Sequence, residues 1–163
     1  RLTHMKSKKL EINYEELRFE ELNSEDQSLI EAAIKATDNS YADYSHFHVG
    51  AAVRLSDSTI VIGANQENAA FPSGLCAERT AIFAAQAQYP KLAVEALAIA
   101  AKNSDGILSQ PVTPCGSCRQ VVLQIEERYH HPVEILLYGS QRIFRFHSIR
   151  DLLPFCFVDD SMK

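Results

Sequence analysis

The hydrophobic positions of the chain follow two periods, one helical and one strand-like. Apolar residues recur every three or four positions in residues 24–37, where Ser24 and Gln27 form a capping box that predicts a helix start, with the end near residues 38–40. Residues 76–88 and 115–129 have the same spacing, and Pro90 and Pro114 lie at boundaries where helices stop or begin. The pattern therefore predicts three main helices.

Five other segments have the composition of strands. Residues 47–55 and 59–64 are apolar and β-branched, and the turn residues 56–58 between them predict a β-hairpin. Residues 94–101 form an apolar run typical of a strand buried on both faces, and residues 133–138 and 143–146 resemble further strands. Residues 148–153 are expected to form a short helix before Pro154. Near the N-terminus, Leu10, Ile12 and Tyr14 alternate as in an extended arm, although residues 14–22 fit a short helix nearly as well.

This alternation of helices and strands predicts the fold class. We expect an α/β protein, a three-layer α/β/α sandwich with a mixed, mostly five-stranded sheet between two helices on one face and one on the other. No repeat or linker divides the chain, so residues 23–163 are predicted to form a single domain. Residues 1–22 are interpreted as a cloning remnant, residues 1–5, followed by an N-terminal arm.

Composition and charge exclude several classes of partner. The chain has 163 residues, 46% of them apolar, which is enough for one core, and its net charge of −5 argues against binding a nucleic-acid polymer. No apolar run approaches the roughly 20 residues that cross a bilayer, and no secretory signal is recognisable. Four sparse cysteines do not make the disulfide framework of a secreted domain, so we expect a cytoplasmic protein without a membrane partner.

Three of those cysteines have the spacing of metal ligands. Cys76 precedes one predicted helix, and Cys115 and Cys118 lie at the start of another, so three sulfurs can converge from two places. A catalytic zinc keeps three protein ligands and leaves its fourth position to water, whereas a structural zinc takes four. The sequence shows no obvious fourth ligand, which favours one catalytic Zn²⁺ per subunit over a structural zinc site or simple buried cysteines.

Charged neighbours of the cysteines suggest further roles. Three thiolates and one Zn²⁺ sum to one negative charge, which weakens the acidity of the metal unless cations offset it. Arg79 and Arg119 follow the two clusters and are predicted to hydrogen-bond the sulfurs. Glu78, two residues after Cys76, is predicted to carry protons as the catalytic acid and base, although an exposed charge in a first helical turn is the simpler reading of Glu78 alone.

Six motifs between about residues 41 and 157 extend this picture. They are Tyr44-Ser45-His46-Phe47, Val49-Gly50-Ala51-Ala52, Asn65-Gln66-Glu67-Asn68-Ala69, Cys76-Ala77-Glu78-Arg79-Thr80-Ala81, Pro114-Cys115-Gly116-Ser117-Cys118-Arg119-Gln120 and Leu152-Leu153-Pro154. Together they resemble the cytidine deaminase family, and the all-cysteine ligand set resembles its short, homotetrameric branch. Asp43 and Phe71 depart from the family pattern, which commonly has Pro and Tyr there.

The resemblance implies where a substrate lies. Asn65 and Glu67 correspond to residues that bind the ribose 3′-OH, and Phe47 corresponds to the aromatic that packs on the pyrimidine. By the same resemblance, the Ala77 amide donates to the base O2 and the Thr113 carbonyl accepts from its amino group. From the residues alone, Asn65 and Glu67 are better read as a solvated strand end. Phe157 corresponds to an aromatic that closes the site of a neighbouring subunit, which implies a homo-oligomer.

The activity expected on this basis is hydrolytic deamination of free cytidine and 2′-deoxycytidine to the uridines and ammonia, in pyrimidine salvage. A zinc-activated water attacks, and Glu78 shuttles the protons. Two alternatives remain open at this stage. One is a deaminase of a related aminopyrimidine nucleoside such as an antibiotic analogue, and the other is a non-catalytic zinc-binding module. Editing of a polynucleotide is less favoured, because it requires a basic groove.

Overall fold

A computed structural model describes residues 4–163, and the first three residues of the remnant expected at residues 1–5 lie outside them. In the described part, three α-helices cover one mixed sheet. The helices are α1 (Ser24–Ala36), α2 (Ala77–Gln88) and α3 (Gly116–Tyr129), and the strands are β1 (Glu15–Leu17), β2 (His48–Leu55), β3 (Ile60–Ala64), β4 (Val94–Asn103), β5 (Gly106–Ile107), β6 (Glu134–Tyr138) and β7 (Ile143–Phe146). None of these helices has the length and apolar character needed to cross a membrane.

The sheet has the strand order β1-β7-β6-β4-β2-β3, with β5 paired to β4. Strands β2 and β3 form the predicted antiparallel hairpin, and β4 runs parallel to β6 through the crossover helix α3. The α/β fold is confirmed, but the strand count is not, since residues 4–163 contain seven strands rather than five. Strands β1 and β5 span three and two residues, which is too short to produce a periodic pattern.

Residues of different size on the two faces of the sheet create the three layers. Strand β4 directs Leu97 and Ile99 toward α2 and α3, and its alternating alanines, such as Ala98, face α1. Small side chains let α1 approach its face closely, and larger ones fill the space beneath the other two helices. The predicted arrangement, with two helices on one face and one on the other, is therefore confirmed.

Several local predictions need correction. Helix α1 is capped by Asn23, whose side chain accepts from the Asp26 amide at 2.9 Å, so the capping box predicted at Ser24 is wrong. The short helix before Pro154 is a 3₁₀ turn (Ile149–Leu152). Neither reading of the N-terminal arm holds as made, because residues 10–14 form no strand and residues 15–21 form strand β1, paired with β7, and then a 3₁₀ turn (Phe19–Glu21) rather than a helix.

A glycine on the hairpin places the first turn of α2. A Cβ atom at Gly63 would lie 2.4 Å from the Ala81 nitrogen and 2.6 Å from the Ala77 carbonyl oxygen. Those distances are far below van der Waals contact, so only glycine permits α2 to rest directly on β3. The backbone contact fixes the height of α2 above the sheet and, with it, the position of Cys76 at the start of the helix.

Candidate active site

The three predicted cysteine ligands converge where α2 and α3 begin. Cys76 and Cys115 are the residues immediately before the two helices, and Cys118 lies in the first turn of α3. Their sulfur atoms all lie within 4.8 Å of one another. Zinc–sulfur bonds of about 2.3 Å in a tetrahedral site separate sulfurs by about 3.8 Å, so this donor set fits a zinc ion. The cluster contains three ligands within residues 4–163, as a catalytic zinc requires.

The electrostatics of the cluster favour a thiolate. The pKa of Cys76 is lowered to about 5, chiefly by a hydrogen bond from the Cys118 thiol and also by the Arg79 guanidinium. The pKa of Cys118 is raised in turn, because its thiol proton is held by Cys76 and the group is buried. Arg79 Nη2 lies 3.4 Å from the Cys76 sulfur, which supports the predicted contact between this cation and a ligand. Anionic sulfur is the form that binds zinc.

Glu78 lies in the first turn of α2 with 6% of its surface exposed. Its Oε2 is 3.5 Å from the Cys118 sulfur, so the carboxyl is adjacent to the ligand cluster without belonging to it. Burial raises the pKa of Glu78, because the carboxylate loses hydration. A desolvated carboxyl beside a metal site has the position required to accept and return protons.

A cavity of about 250 Å³ opens beside the sulfurs and the carboxyl. Its walls contain most of the side chains that the sequence singled out, and they come from four separate segments of the chain. The lining residues are Phe47, Val49, Asn65, Cys76, Ala77, Glu78, Val112, Thr113 and Cys115. Val49 and Val112 had no predicted role. The sequence offers only weak signals for them, since Val49 opens one of the six motifs and Val112 precedes Thr113.

Asn65 holds the segment that presents Phe47. Its side-chain oxygen accepts from the Val49 amide at 2.8 Å, and its side-chain nitrogen donates to the Phe47 carbonyl at 2.9 Å. The two bonds connect the end of β3 to the start of β2 on both sides of His48. The position of the Phe47 ring in the cavity wall therefore depends on Asn65.

Glu67 lines a neighbouring cavity of about 340 Å³, which shares Asn65 and Cys76 with the first. Its carboxylate accepts from the backbone amides of Tyr44, at 3.3 Å, and Ser45, at 3.2 Å, and from the Ser45 hydroxyl. The Ser45 hydroxyl is the main reason that the pKa of Glu67 is lowered. Ser45 belongs to a motif noted in the sequence, but its contact with Glu67 was not predicted.

Two predicted residues lie elsewhere. Arg119 donates from Nε to the Pro114 carbonyl at 2.8 Å and from Nη1 to the Leu152 carbonyl at 2.7 Å, so its predicted bond to sulfur is wrong. Successive helical residues project about 100° apart, which turns Arg119 away from the side of α3 that Cys118 occupies. Phe157 is 58% exposed and lines neither cavity. Phe71, one of the two departures from the family pattern, is exposed and contacts Tyr44 edge to face at 5.9 Å.

A three-sulfur cluster beside a cavity that a buried carboxyl lines, on an α/β/α fold, defines a zinc-dependent enzyme. Comparison with known families identifies which one. Residues 23–130 match the family model described as the cytidine and deoxycytidylate deaminase zinc-binding region. The chain therefore belongs to the cytidine and deoxycytidylate deaminase family.

Individual relatives agree with this assignment. The chain is 36% identical over 137 residues to a cytidine deaminase of Halalkalibacterium halodurans, covering 84% of this chain and 97% of the relative. It is 38% identical to the crystal structure of a cytidine deaminase from Burkholderia pseudomallei, with a TM-score of 0.66 and coverage of 80% and 97%. The cytidine deaminase structure from Mycobacterium tuberculosis is 29% identical, with a TM-score of 0.65 and coverage of 83% and 99%.

Proposed function

We propose that this protein hydrolyses the 4-amino group of free cytidine and 2′-deoxycytidine, yielding uridine or 2′-deoxyuridine and ammonia in pyrimidine salvage. One observation carries the proposal: Glu78 and the sulfurs of Cys76 and Cys115 share a single cavity with Phe47 and Asn65. Relatives that this chain matches over nearly their whole length bear the name cytidine deaminase. A cavity of about 250 Å³ suits a free nucleoside better than a polymer.

The chemistry divides between the metal and the chain. Cys76, Cys115 and Cys118 would hold one Zn²⁺ per subunit, and the ion would supply the Lewis acidity that activates a water molecule. Glu78 accepts one proton from the attacking water and delivers it to the ring nitrogen N3, and it then takes the proton of the new C4 hydroxyl and delivers it to the departing amine. The water oxygen forms a bond to C4, the C4–N bond breaks, and ammonia leaves. The buried position of Glu78 keeps bulk water away from these transfers.

Substrate placement follows from the cavity walls. We infer that the Phe47 ring packs on the pyrimidine and that the Ala77 amide and the Thr113 carbonyl bind the base O2 and its amino group. Ala77 and Thr113 line the same cavity as Glu78, which supports this arrangement. Asn65 and Glu67 are proposed to bind the ribose 3′-OH, although both also make the backbone contacts described above.

Replacing Arg79 by alanine is expected to leave zinc content near one per chain and to lower kcat by about 10- to 100-fold. The reason is that a charge-assisted hydrogen bond worth about 1.5–3 kcal/mol is lost beside the sulfur of Cys76, and the centre becomes more negative. Metal analysis and initial rates on one preparation test this. Arg79→Lys, which keeps the charge, should retain more activity. A wild-type rate for Arg79→Ala would remove Arg79 from the proposal.

Replacing Glu67 by glutamine is expected to raise KM for cytidine about tenfold with little change in kcat, because the hydroxyl of the substrate loses an anionic acceptor. Wild type should already bind 3′-deoxycytidine weakly, and the substitution should weaken that binding little further. Glu31→Gln, an exposed site on α1, is the control. Equal losses on both substrates would show that Glu67 acts only through the Tyr44–Ser45 backbone.

A panel of substrates tests the proposed activity as a whole. Purified protein is incubated with cytidine, deoxycytidine, CMP and adenosine, and ultraviolet absorbance and ammonia are followed. We expect turnover of the two cytosine nucleosides. Turnover of CMP alone would overturn the substrate and leave the chemistry intact. Zinc binding without turnover of any aminopyrimidine nucleoside would favour the non-catalytic module.

We also infer a homotetramer in which Phe157 of one subunit completes the site of another. Phe155 and Phe157 are 90% and 58% exposed, and exposed aromatic pairs are characteristic of contact surfaces. Light scattering after size exclusion should give four times the 18.2 kDa chain mass.

Residues 23–163 are proposed to act as one domain, because both core clusters pack against the same sheet. Reduced cysteine ligands suit the cytoplasm, which we propose as the location.

A further inference from the structure

Two neighbouring side chains of α3 hold the C-terminal segment, defined here as residues 152–158. Arg119 donates from Nη1 to the Leu152 carbonyl at 2.7 Å, at the start of the segment. Gln120 donates from Nε2 to the Phe157 carbonyl at 2.9 Å, near its end. The segment is therefore attached to the helix at both ends by side-chain hydrogen bonds to its backbone.

Arg119 also contacts the loop that carries a metal ligand. Its Nε donates to the Pro114 carbonyl at 2.8 Å, and Pro114 directly precedes Cys115. One planar guanidinium thus joins the cysteine loop to the C-terminal segment. The rigid fork of donors in arginine suits such a bridge, because both hydrogen bonds form at a small entropic cost.

The attachment determines which way Phe157 faces. Cys156 and Val158 pack against the core under α2 and α3, while Phe155 and Phe157 are exposed. This alternation is the pattern of an extended backbone, in which successive side chains point to opposite sides. Fixing the Phe157 carbonyl with Gln120, and the start of the segment with Arg119, fixes the direction of the Phe157 ring away from its own subunit.

We infer that Arg119 and Gln120 form a clamp that positions Phe157 and couples it to the cysteine loop. They are positioning residues, since neither lines the cavity beside the sulfurs. The inference rests on the proposed function in one respect, namely that Phe157 completes the site of a neighbouring subunit. The clamp also replaces the earlier prediction that Arg119 offsets the negative charge of the sulfurs.

The test compares Arg119→Met, Gln120→Ala and Phe157→Ala with wild type, together with the double variant of Arg119→Met and Phe157→Ala. Arg128→Met is the matched control, because Arg128 lies on the same helix and donates to another backbone carbonyl, that of Pro90, at 3.4 Å. The first measurement is the rate at which chymotrypsin cleaves after Phe155 and releases residues 156–163, followed by mass. The others are zinc content, kcat and KM for cytidine.

We expect Arg119→Met to speed the cleavage about tenfold and to raise KM about tenfold, with kcat and zinc content within twofold of wild type. Gln120→Ala should show the same pattern more weakly, and Arg128→Met should match wild type. If Arg119 acts through Phe157, the double variant should have the KM of Phe157→Ala alone. Additive effects on KM, or an unchanged cleavage rate in both clamp variants, would overturn the clamp.

The cleavage measurement does not depend on the proposed activity. A protein that fails to deaminate cytidine but shows faster cleavage in Arg119→Met would refute the function and keep the clamp. If the wild type deaminates cytidine and both clamp variants keep its cleavage rate and KM, the clamp is refuted and the function is kept. Gln120→Ala removes only one hydrogen bond, so it keeps the test informative if Arg119→Met does not fold.

Discussion

Replacing Glu78 by glutamine is expected to lower kcat by about 10²–10⁴-fold, the usual contribution of a positioned acid–base group, while zinc content stays at one per chain. Glutamine has the size of glutamate and can keep its place in the first turn of α2. It cannot accept a proton from water or deliver one to the ring. The loss should therefore appear in turnover rather than in metal binding or folding.

Initial rates on cytidine, metal analysis and thermal unfolding on the same preparation make this test. Glu134→Gln is the matched control, because burial also raises the pKa of Glu134, yet this carboxyl lies on β6 near Arg145 and not beside the sulfurs. The control should keep wild-type kcat. Near-wild-type turnover in Glu78→Gln would show that another group moves the protons.

Replacing Cys118 by serine is expected to remove both zinc and activity. The side chain of Cys118 is fully buried at the centre of the cluster, and a serine hydroxyl stays protonated at neutral pH and binds zinc poorly. Loss of a mere hydrogen-bond partner of a metal ligand already costs about 10–100-fold in affinity, so loss of the ligand should cost more than about 100-fold. Competition with a chelator measures this affinity.

Cys156→Ser provides the comparison for that experiment. Cys156 is partly buried, packs against the core and lies 3.5 Å from Arg150 Nη1, outside the three-sulfur cluster. The control should keep zinc and turnover. Zinc retention by Cys118→Ser at the wild-type affinity would mean that the three sulfurs are not the ligand set.

Local sequence was sufficient for much of the site, because its main ligands lie at helix starts. Helical periodicity identified α2 and α3, and Cys76, Cys115 and Cys118 lie at their first residues or just before them. Cys115 and Cys118 lie close together at one helix start, so the position of one fixes that of the other. For the same reason, Glu78 could be predicted next to the metal ligands from its place two residues after Cys76.

Contacts between distant segments could not be predicted in this way. The partners of Arg119 are the carbonyls of Pro114 and Leu152, and the second lies 33 residues away on a segment without periodic signal. Glu67 likewise accepts a hydrogen bond from Ser45, which lies 22 residues earlier in the chain. The two residues meet only because strands β2 and β3 pair.

Periodicity in the sequence thus determined the helices and the longer strands, and the spacing of the cysteines determined the types of residue at the metal centre. Only the tertiary structure decided the short strands β1 and β5, the direction of the Arg119 side chain and the attachment of Phe157. The physical reason is that a periodic pattern records which face of an element is buried. A hydrogen bond from a side chain to a remote backbone carbonyl depends instead on how whole elements pack, and it leaves no pattern in the sequence.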